Sequence, residues 1–231
     1  MHQINENLNC NLTQALELYQ NEYSHEDLIS MLQNGNDVQR QISALKLEKI
    51  TCTADAEALV SNLVGQDGKI REAVSFKLKE LISPDFIPFA DIFLQSVIDI
   101  NGNVCRNVIS AISMLKSYPQ FTEYFCPRLT GMTLDVLEAL SDLKGKYETN
   151  KEIFKLYWCL ETIYEFFEYI DPIEIKKIVS ATKDIEEYTI REKTARILTK
   201  ATNDPELLKI RQELNNDSNY YVNRYFLGCR L

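Results

Sequence analysis

Apolar residues recur at positions i, i+3, i+4 and i+7 along most of this 231-residue chain. That spacing places them on one face of an α-helix. One such face comprises Ile70, Ala73, Val74, Leu78, Leu81 and Ile82, and a later one comprises Leu156, Leu160, Ile163, Phe167 and Ile170. Because no alternating run of β-branched residues competes with this pattern, the chain is predicted to be all-α.

Turn-forming residues separate the predicted helices. They occur at Asn34-Gly35-Asn36, Gly65–Gly68, Ser83-Pro84, Asn101-Gly102-Asn103, Tyr118-Pro119, Asp171-Pro172 and Asp204-Pro205. Proline is tolerated in the first turn of a helix, since the N–H that it lacks would have no partner there. These positions therefore predict helix starts rather than interruptions.

The chain also contains an internal repeat. A polar turn leads into a β-branched residue, then an arginine one or two places on, then a helix, with a shorter amphipathic helix before each turn. Alignment of Val38, Ile70, Val104, Ile153, Ile190 and Val222 gives spacings of 32, 34, 49, 37 and 32 residues. Helix pairs that recur at such a period are typical of an α-solenoid, in which each pair buries its apolar face by stacking on its neighbours.

The best-formed unit carries Asp67, Ile70-Arg71, Ala73 and Leu78, and Ile190-Arg191 with Glu187 at the acidic position is the next best. This pattern resembles the HEAT repeat of short bacterial proteins. The resemblance implies that Arg71 and Arg191 pair with turn acids, Asp67 and Glu187 among them, of the same or an adjacent repeat. Such pairs would form a structural ladder.

The resemblance has departures. Arg40, Arg106 and Arg224 are displaced by one position, and Ile153 of the long fourth unit is followed by Phe154 rather than arginine.

The predicted fold is a right-handed α-solenoid of about six helix pairs in a single domain, residues 1–231. Residues 1–23 form an N-terminal cap with a helix around Leu12–Tyr19, and the repeats span approximately residues 24–51, 54–83, 84–118, 119–171, 172–203 and 204–231.

Composition and charge narrow the function. Only 7 glycines and 6 prolines are present, which disfavours glycine-rich phosphate loops and many-stranded sandwiches or barrels. The net charge of −9 is concentrated in the first half of the chain, so we expect no nucleic-acid binding and a protein partner instead. This acidity would attract a partner with a basic surface. No stretch approaches the roughly 18 apolar residues of a membrane span.

The sequence offers little catalytic chemistry. There are only two histidines, His2 and His25, and no nucleophile, zinc or nucleotide motif. Ser24 before His25 predicts a helix N-cap. The six cysteines are scattered and several have apolar neighbours, which favours buried free thiols in a reducing cytoplasm. We therefore expect a cytoplasmic protein that is not an enzyme and needs no metal or cofactor.

A row of aromatic and acidic residues is the strongest candidate for a binding site. Phe154, Trp158, Glu161, Glu165 and Tyr169 follow one another at helical spacing, beside the apolar face of the same helix. Second helices of HEAT pairs line the concave surface, so the resemblance implies that this row faces a groove. Aromatic rings interleaved with acids suit a Lys- or Arg-rich partner. The alternative is that the loop of this unit or adjacent repeats cover the row.

A second aromatic cluster, residues 219–227, lies at the C-terminal end, where the tyrosines act as a hydrophobic cap or as an association surface.

The predicted function is a non-catalytic scaffold or adaptor that binds a partner protein on its concave face. Two alternatives remain: an immunity-type inhibitor of a basic toxin, and a relative of the HEAT-like lyases that handle bilin pigments. A HEAT-like DNA glycosylase is disfavoured by the acidic first half and the single tryptophan.

Overall fold

The computed structural model describes residues 12–142 and 146–226, and within those ranges every regular element is a helix. The α-helices are α1 (residues 12–20), α2 (His25–Asn34), α3 (Asp37–Lys46), α4 (Thr53–Val60), α5 (Gly68–Leu81), α6 (Ala90–Ser96), α7 (Gly102–Ile112), α8 (Pro119–Asp142), α9 (Lys146–Phe166), α10 (Pro172–Thr182), α11 (Tyr188–Leu198), α12 (Pro205–Asn215) and α13 (Tyr220–Asn223). Shorter 3-10 turns cover Ser61–Leu63, Pro84–Phe89, Ser113–Ser117 and Phe167–Tyr169. The all-α prediction is confirmed.

Side-chain caps begin the helices where the turn residues predicted starts. Ser24 and Asn36 form capping boxes on α2 and α3, and Asp67, Asn101 and Asp204 accept backbone N–H groups of α5, α7 and α12. Each cap satisfies N–H groups that have no partner within the helix. The polar turns of the repeat are therefore the physical start signals of these helices.

The chain divides into two compact units, one ending at Phe121 and the other beginning at Thr122. In the first unit α5 packs between α3 and α7, while α4 packs against α2 and the 3-10 turn Pro84–Phe89. Side chains between these two rows are fully buried and form the core: Leu32, Leu47, Leu59, Val74, Leu78, Phe86, Phe93, Val108 and Ile112.

The second unit repeats this arrangement. α11 packs between α9 and α13, and α12 packs against α10. The buried apolar residues include Leu160, Ile163, Ile178, Val179, Ile190, Leu198 and Val222. In each unit the contacts join alternate helices. The apolar face of each of these amphipathic helices is therefore covered by neighbouring helices.

An arginine–aspartate pair joins successive turns in each unit; its side chains are buried at Arg71–Asp99 and half-buried at Arg191–Asp217. Arg71 donates from Nε to Asp99 Oδ2 at 2.6 Å and from Nη2 to Asp99 Oδ1 at 3.2 Å. Arg191 holds Asp217 in the same two-pronged way, at 2.7 and 3.4 Å. This ion pair holds the pKa of Asp217 below its usual value, mainly through the hydrogen bond from Arg191. Planar guanidinium and carboxylate groups fix their mutual orientation when they pair in this way.

The acidic partners differ from two that the resemblance implied. Asp67 and Glu187 do not receive Arg71 and Arg191; they cap the helices that carry those arginines, accepting from the N–H groups of Lys69 and Thr189 respectively. Geometry explains this, because a side chain just before a helix lies beside the free N–H groups of the first turn. The true partners lie in the next turn along the chain, about 28 residues on for Arg71 and 26 for Arg191.

The residue after the aligned β-branched position has the same role in four of the six units. Arg71, Cys105, Arg191 and Asn223 each donate to the backbone carbonyl six residues earlier, those of Gly65, Asp99, Ile185 and Asp217. Arg106 and Arg224 are displaced by one residue, and such a shift turns a side chain by about 100° around the helix axis. Arg224 binds Glu192 of α11 instead.

Three of the four described cysteines are buried free thiols, Cys105, Cys126 and Cys159, whereas Cys52 is exposed. Burial raises the pKa of the Cys126 and Cys159 thiols to about 12, which keeps them protonated and unreactive. Cys10 and Cys229 lie outside the described residues. The expected buried thiols are thus found at three positions, and Cys52 is an exception.

We predict that Arg71→Ala lowers the free energy of unfolding by roughly 3–5 kcal/mol, because it leaves the Asp99 carboxylate buried without its cation. Urea denaturation followed by circular dichroism measures this change. The matched control is Lys79→Ala on the same helix, which removes an exposed cation and should change stability by less than about 0.5 kcal/mol. Equal effects of the two substitutions would contradict a structural role for the Arg71–Asp99 pair.

Candidate functional site

The predicted row of aromatic and acidic residues begins on α9 and ends beyond it. Phe154, Trp158, Glu161 and Glu165 lie on the helix, while Tyr169 lies in the 3-10 turn that follows. Phe154 and Tyr169 are 37% and 44% exposed, and Glu165 is half-buried. The two ends of the row are therefore exposed, whereas Trp158 and Glu161 at its centre are buried and half-buried respectively.

Trp158 is not on the surface, contrary to the expectation for this row. Its side chain is 7% exposed, and its ring stacks edge-on against Phe154 and Tyr157 with centroids 6.2 and 5.1 Å away. α9 contacts α11 along its length, and at its end Phe166 packs against Phe125 of α8 with ring centroids 5.1 Å apart. A helix packed against two neighbours buries a wider arc than the single apolar face that the periodicity indicates.

Glu161 is enclosed by two cations of α11. Lys193 Nζ donates to its Oε2 at 2.8 Å, and Arg196 Nη1 lies 2.6 and 2.7 Å from its two oxygens. Burial alone would raise the pKa of Glu161, but the Lys193 hydrogen bond and the charges of Lys193 and Arg196 outweigh it and hold that pKa below its usual value. Glu161 therefore stabilises the α9–α11 contact and has little capacity left for a partner.

Aromatic rings complete this charged contact. Lys193 Nζ lies 4.3 Å from the centroid of Tyr157, and the Arg196 guanidinium lies 4.0 Å from that of Tyr164. Lys200 lies over the same Tyr164 ring and donates to the Tyr164 carbonyl at 2.7 Å, near the end of α9. Cations are favoured at that end because carbonyls of the last turn lack helical partners.

Sequence reasoning missed these cations, although a signal was present. Lys193 and Arg196 on α11 and Lys200 just beyond it recur every three to four residues, and Tyr157, Glu161 and Tyr164 recur in the same way on α9. Every contact between the two sets spans 32 to 36 residues, which is one repeat. Complementary residues one period apart indicate an interface between neighbouring repeats.

A second group of aromatic residues lies on α11 and α13. The side chains of Tyr188, Tyr220 and Tyr221 are exposed, and the Tyr221 ring lies 6.1 Å from Tyr188 and 5.8 Å from Tyr220. Val222 and Phe226 are buried and supply the hydrophobic cap at this end. The sequence offered a cap or an association surface for this cluster; among the described residues Val222 and Phe226 are buried and Tyr220 and Tyr221 are exposed.

His25 is held within the first unit. Its Nε2 lies 2.8 Å from Asp55 Oδ2, which also accepts from the backbone N–H and hydroxyl of Thr51. Although burial opposes the charged form, these hydrogen bonds lower the pKa of Asp55 to about 2. Ser24 caps α2 as predicted. Among the described residues no three His, Cys, Asp or Glu side chains are grouped as metal ligands would be.

Comparisons with known proteins found no counterpart: no family model, no curated protein and no solved structure matches the chain. Within the described ranges, no helix combines the length and apolar character that crossing a membrane requires.

We predict that the fluorescence of Trp158, the only tryptophan, is blue-shifted and quenched by acrylamide several-fold less than that of free N-acetyltryptophanamide, because the side chain is buried. Steady-state quenching at neutral pH measures this directly. Denaturation in urea is the internal control and should restore full quenching. Native quenching as strong as that of the unfolded chain would place Trp158 on the surface.

We predict that Glu161→Gln destabilises the protein by about 1–3 kcal/mol at pH 7, because a neutral amide pairs poorly with Lys193 and Arg196. Since the folded pKa of Glu161 lies below its unfolded value, its contribution is complete above about pH 4.5 and is lost as the pH falls. The difference between wild type and Glu161→Gln should therefore shrink between pH 6 and pH 3. Urea titrations across that range measure it, and a difference independent of pH would contradict the assignment.

Proposed function

We propose that this protein is a non-catalytic interaction module, a cytoplasmic scaffold or adaptor that binds another protein and does not bind nucleic acid. We propose further that its helix pairs stack as a right-handed HEAT-like solenoid. The repeated hydrogen bond to the carbonyl six residues earlier supports such a stack, since it occurs at equivalent positions of four helices. So do the Arg71–Asp99 and Arg191–Asp217 pairs, which each link one repeat to the next.

The observation that carries the proposal is the exposure of aromatic side chains in the second unit. Two lie at the ends of the α9 row and three on α11 and α13: Phe154, Tyr169, Tyr188, Tyr220 and Tyr221. Exposed rings add little to folding, whereas tyrosine and other aromatic residues dominate the energetics of protein interfaces. They are held on helices, so a partner would meet a surface that is already ordered.

The charge distribution supports a protein partner rather than nucleic acid. The overall charge of −9 repels phosphate backbones. Four cations on or just beyond the helices that carry Tyr188, Tyr220 and Tyr221 are already paired: Lys193 and Arg196 with Glu161, Arg191 with Asp217, and Arg224 with Glu192. A partner with a basic surface fits this balance better than a polyanion does.

The test is an affinity pull-down from a lysate of the source organism with two double variants. Phe154→Ala/Tyr169→Ala removes the exposed ends of the α9 row, and Tyr220→Ala/Tyr221→Ala removes the C-terminal rings. We expect one stoichiometric protein with wild type and its loss with at least one variant, because truncating a central aromatic contact costs about 2 kcal/mol or more. Trp158 is unsuitable as a probe, since it is buried and its truncation would weaken the fold.

Phe76→Ala in the first unit is the matched control, because Phe76 is an exposed ring on a helix far from these residues in sequence. Unchanged melting temperatures would show that the variants remain folded. Loss of the partner with Phe76→Ala alone would move the site to the first unit. Recovery of nucleic acid, or of no macromolecule at all, would contradict the proposed function.

A further inference from the structure

A cavity of about 700 Å³ opens on the surface of the second unit. Its wall combines the end of α8, the start of α9, the end of α10 and the connection to α11. The lining residues are Leu137, Leu140, Ser141, Thr149, Asn150, Ile153, Ala181, Ile185, Glu186, Glu187 and Tyr188. It is thus framed by secondary structure, with Phe154 next in sequence to Ile153 and the exposed Tyr188 in its wall.

The wall chemistry suits an apolar group. Leu137, Leu140, Ile153, Ala181 and Ile185 supply aliphatic surface, and Tyr188 supplies an aromatic ring. Cavities of roughly 300–1,000 Å³ with apolar walls and a few polar groups are the usual form of binding sites. A volume of about 700 Å³ exceeds a single side chain and accommodates a short segment of a partner.

The formal charges on this lining are both negative. Glu186 is exposed, and Glu187 is half-buried, with Oε1 accepting from the N–H and hydroxyl of Thr189. Arg191, the nearest cation on α11, is committed to Asp217 and to the carbonyls of Ile185 and Glu186. Two helices begin and two end at the cavity, so their dipoles oppose one another. Glu186 and Glu187 are the only formally charged residues among those that line the cavity.

We propose that this cavity is the docking site for a short segment of the partner protein that carries one or two large apolar side chains flanked by lysine or arginine. The apolar side chains occupy the aliphatic pocket, and the flanking cations lie against Glu186 and Glu187. This inference rests on the proposed function and adds to it the site and the chemistry of the partner segment. Complementary charge at the mouth of an apolar pocket favours this segment over an acidic one.

The experiment uses the full chain and fluorescein-labelled hexapeptides. The probe is Lys-Arg-Leu-Phe-Arg-Lys, with Glu-Asp-Leu-Phe-Asp-Glu as the charge-reversed control and Lys-Arg-Gly-Gly-Arg-Lys as the control without apolar side chains. Fluorescence anisotropy at low salt should show saturable binding of the probe alone, with both controls at least tenfold weaker. Equal binding of either control would overturn the proposal, because it would show that charge or apolar surface alone suffices.

Two variants locate the binding. Glu186→Gln/Glu187→Gln should weaken the probe about tenfold and reduce its salt dependence, since each exposed ion pair contributes up to about 1 kcal/mol. Gln at position 187 keeps an oxygen that can still cap α11. Ala181→Phe should block the pocket and abolish binding with no change in helicity. The matched control, Glu168→Gln/Glu206→Gln, removes two exposed carboxylates that do not line the cavity and should bind like wild type.

The pull-down separates this inference from the proposed function. If the partner is captured by wild type but is retained by both Glu186→Gln/Glu187→Gln and Ala181→Phe, the function stands and the cavity is not its docking site. If neither the partner nor the probe binds, both proposals fail. Loss of the partner with the cavity variants, together with selective binding of the probe, is the expected result.

Discussion

The arginine–aspartate pair between successive turns is the interaction on which the repeat geometry depends. Arg71 and Arg191 leave the first turn of their own helices, and each reaches the aspartate that precedes the next helix of the same row. That aspartate also accepts the N–H of an asparagine two residues on, Asn101 or Asn219, which caps the next helix. One carboxylate thus links the position of one helix to the start of another. Hydrophobic contact alone does not supply such orientation, because burial of apolar surface is non-directional.

Directional pairing of charged groups also explains the composition of α9 and α11. Their interface is a band of rings and charges in which Glu161 is shared between Lys193 and Arg196. Charges that leave water must be paired with well-placed partners, so this band fixes the alignment of the two helices at the cost of desolvation. The residues that remain accessible lie at its margins: Phe154, Tyr169 and the tyrosines of α11 and α13. Partner binding is proposed there because the central groups are already engaged within the fold.

Much of the local structure was predictable, and the reason is visible in single residues. Asp67, Asn101 and Asp204 were recognisable as starts because a cap acts on N–H groups two or three residues away. The row from Phe154 to Tyr169 was placed on a helix correctly, except that Tyr169 lies in the turn beyond it. Its exposure was not predictable in the same way. Trp158 is only 7% exposed, and whether a ring on one helix is covered depends on neighbouring helices that the spacing of that helix does not specify.

The partners of Arg71 and Arg191 were also not predictable from the sequence, because they lie about 28 and 26 residues further along the chain. The resemblance to HEAT repeats implied a turn acid of the same or an adjacent repeat, and the choice between Asp67 and Asp99 depended on the position of the next turn. The sequence by itself determined the all-α class and the helix starts that carry a side-chain cap, since these follow from side chains acting on nearby backbone. Only the tertiary structure decided which charges are neutralised, which rings are buried and where the cavity opens, because those properties depend on atoms that are distant along the chain and adjacent in space.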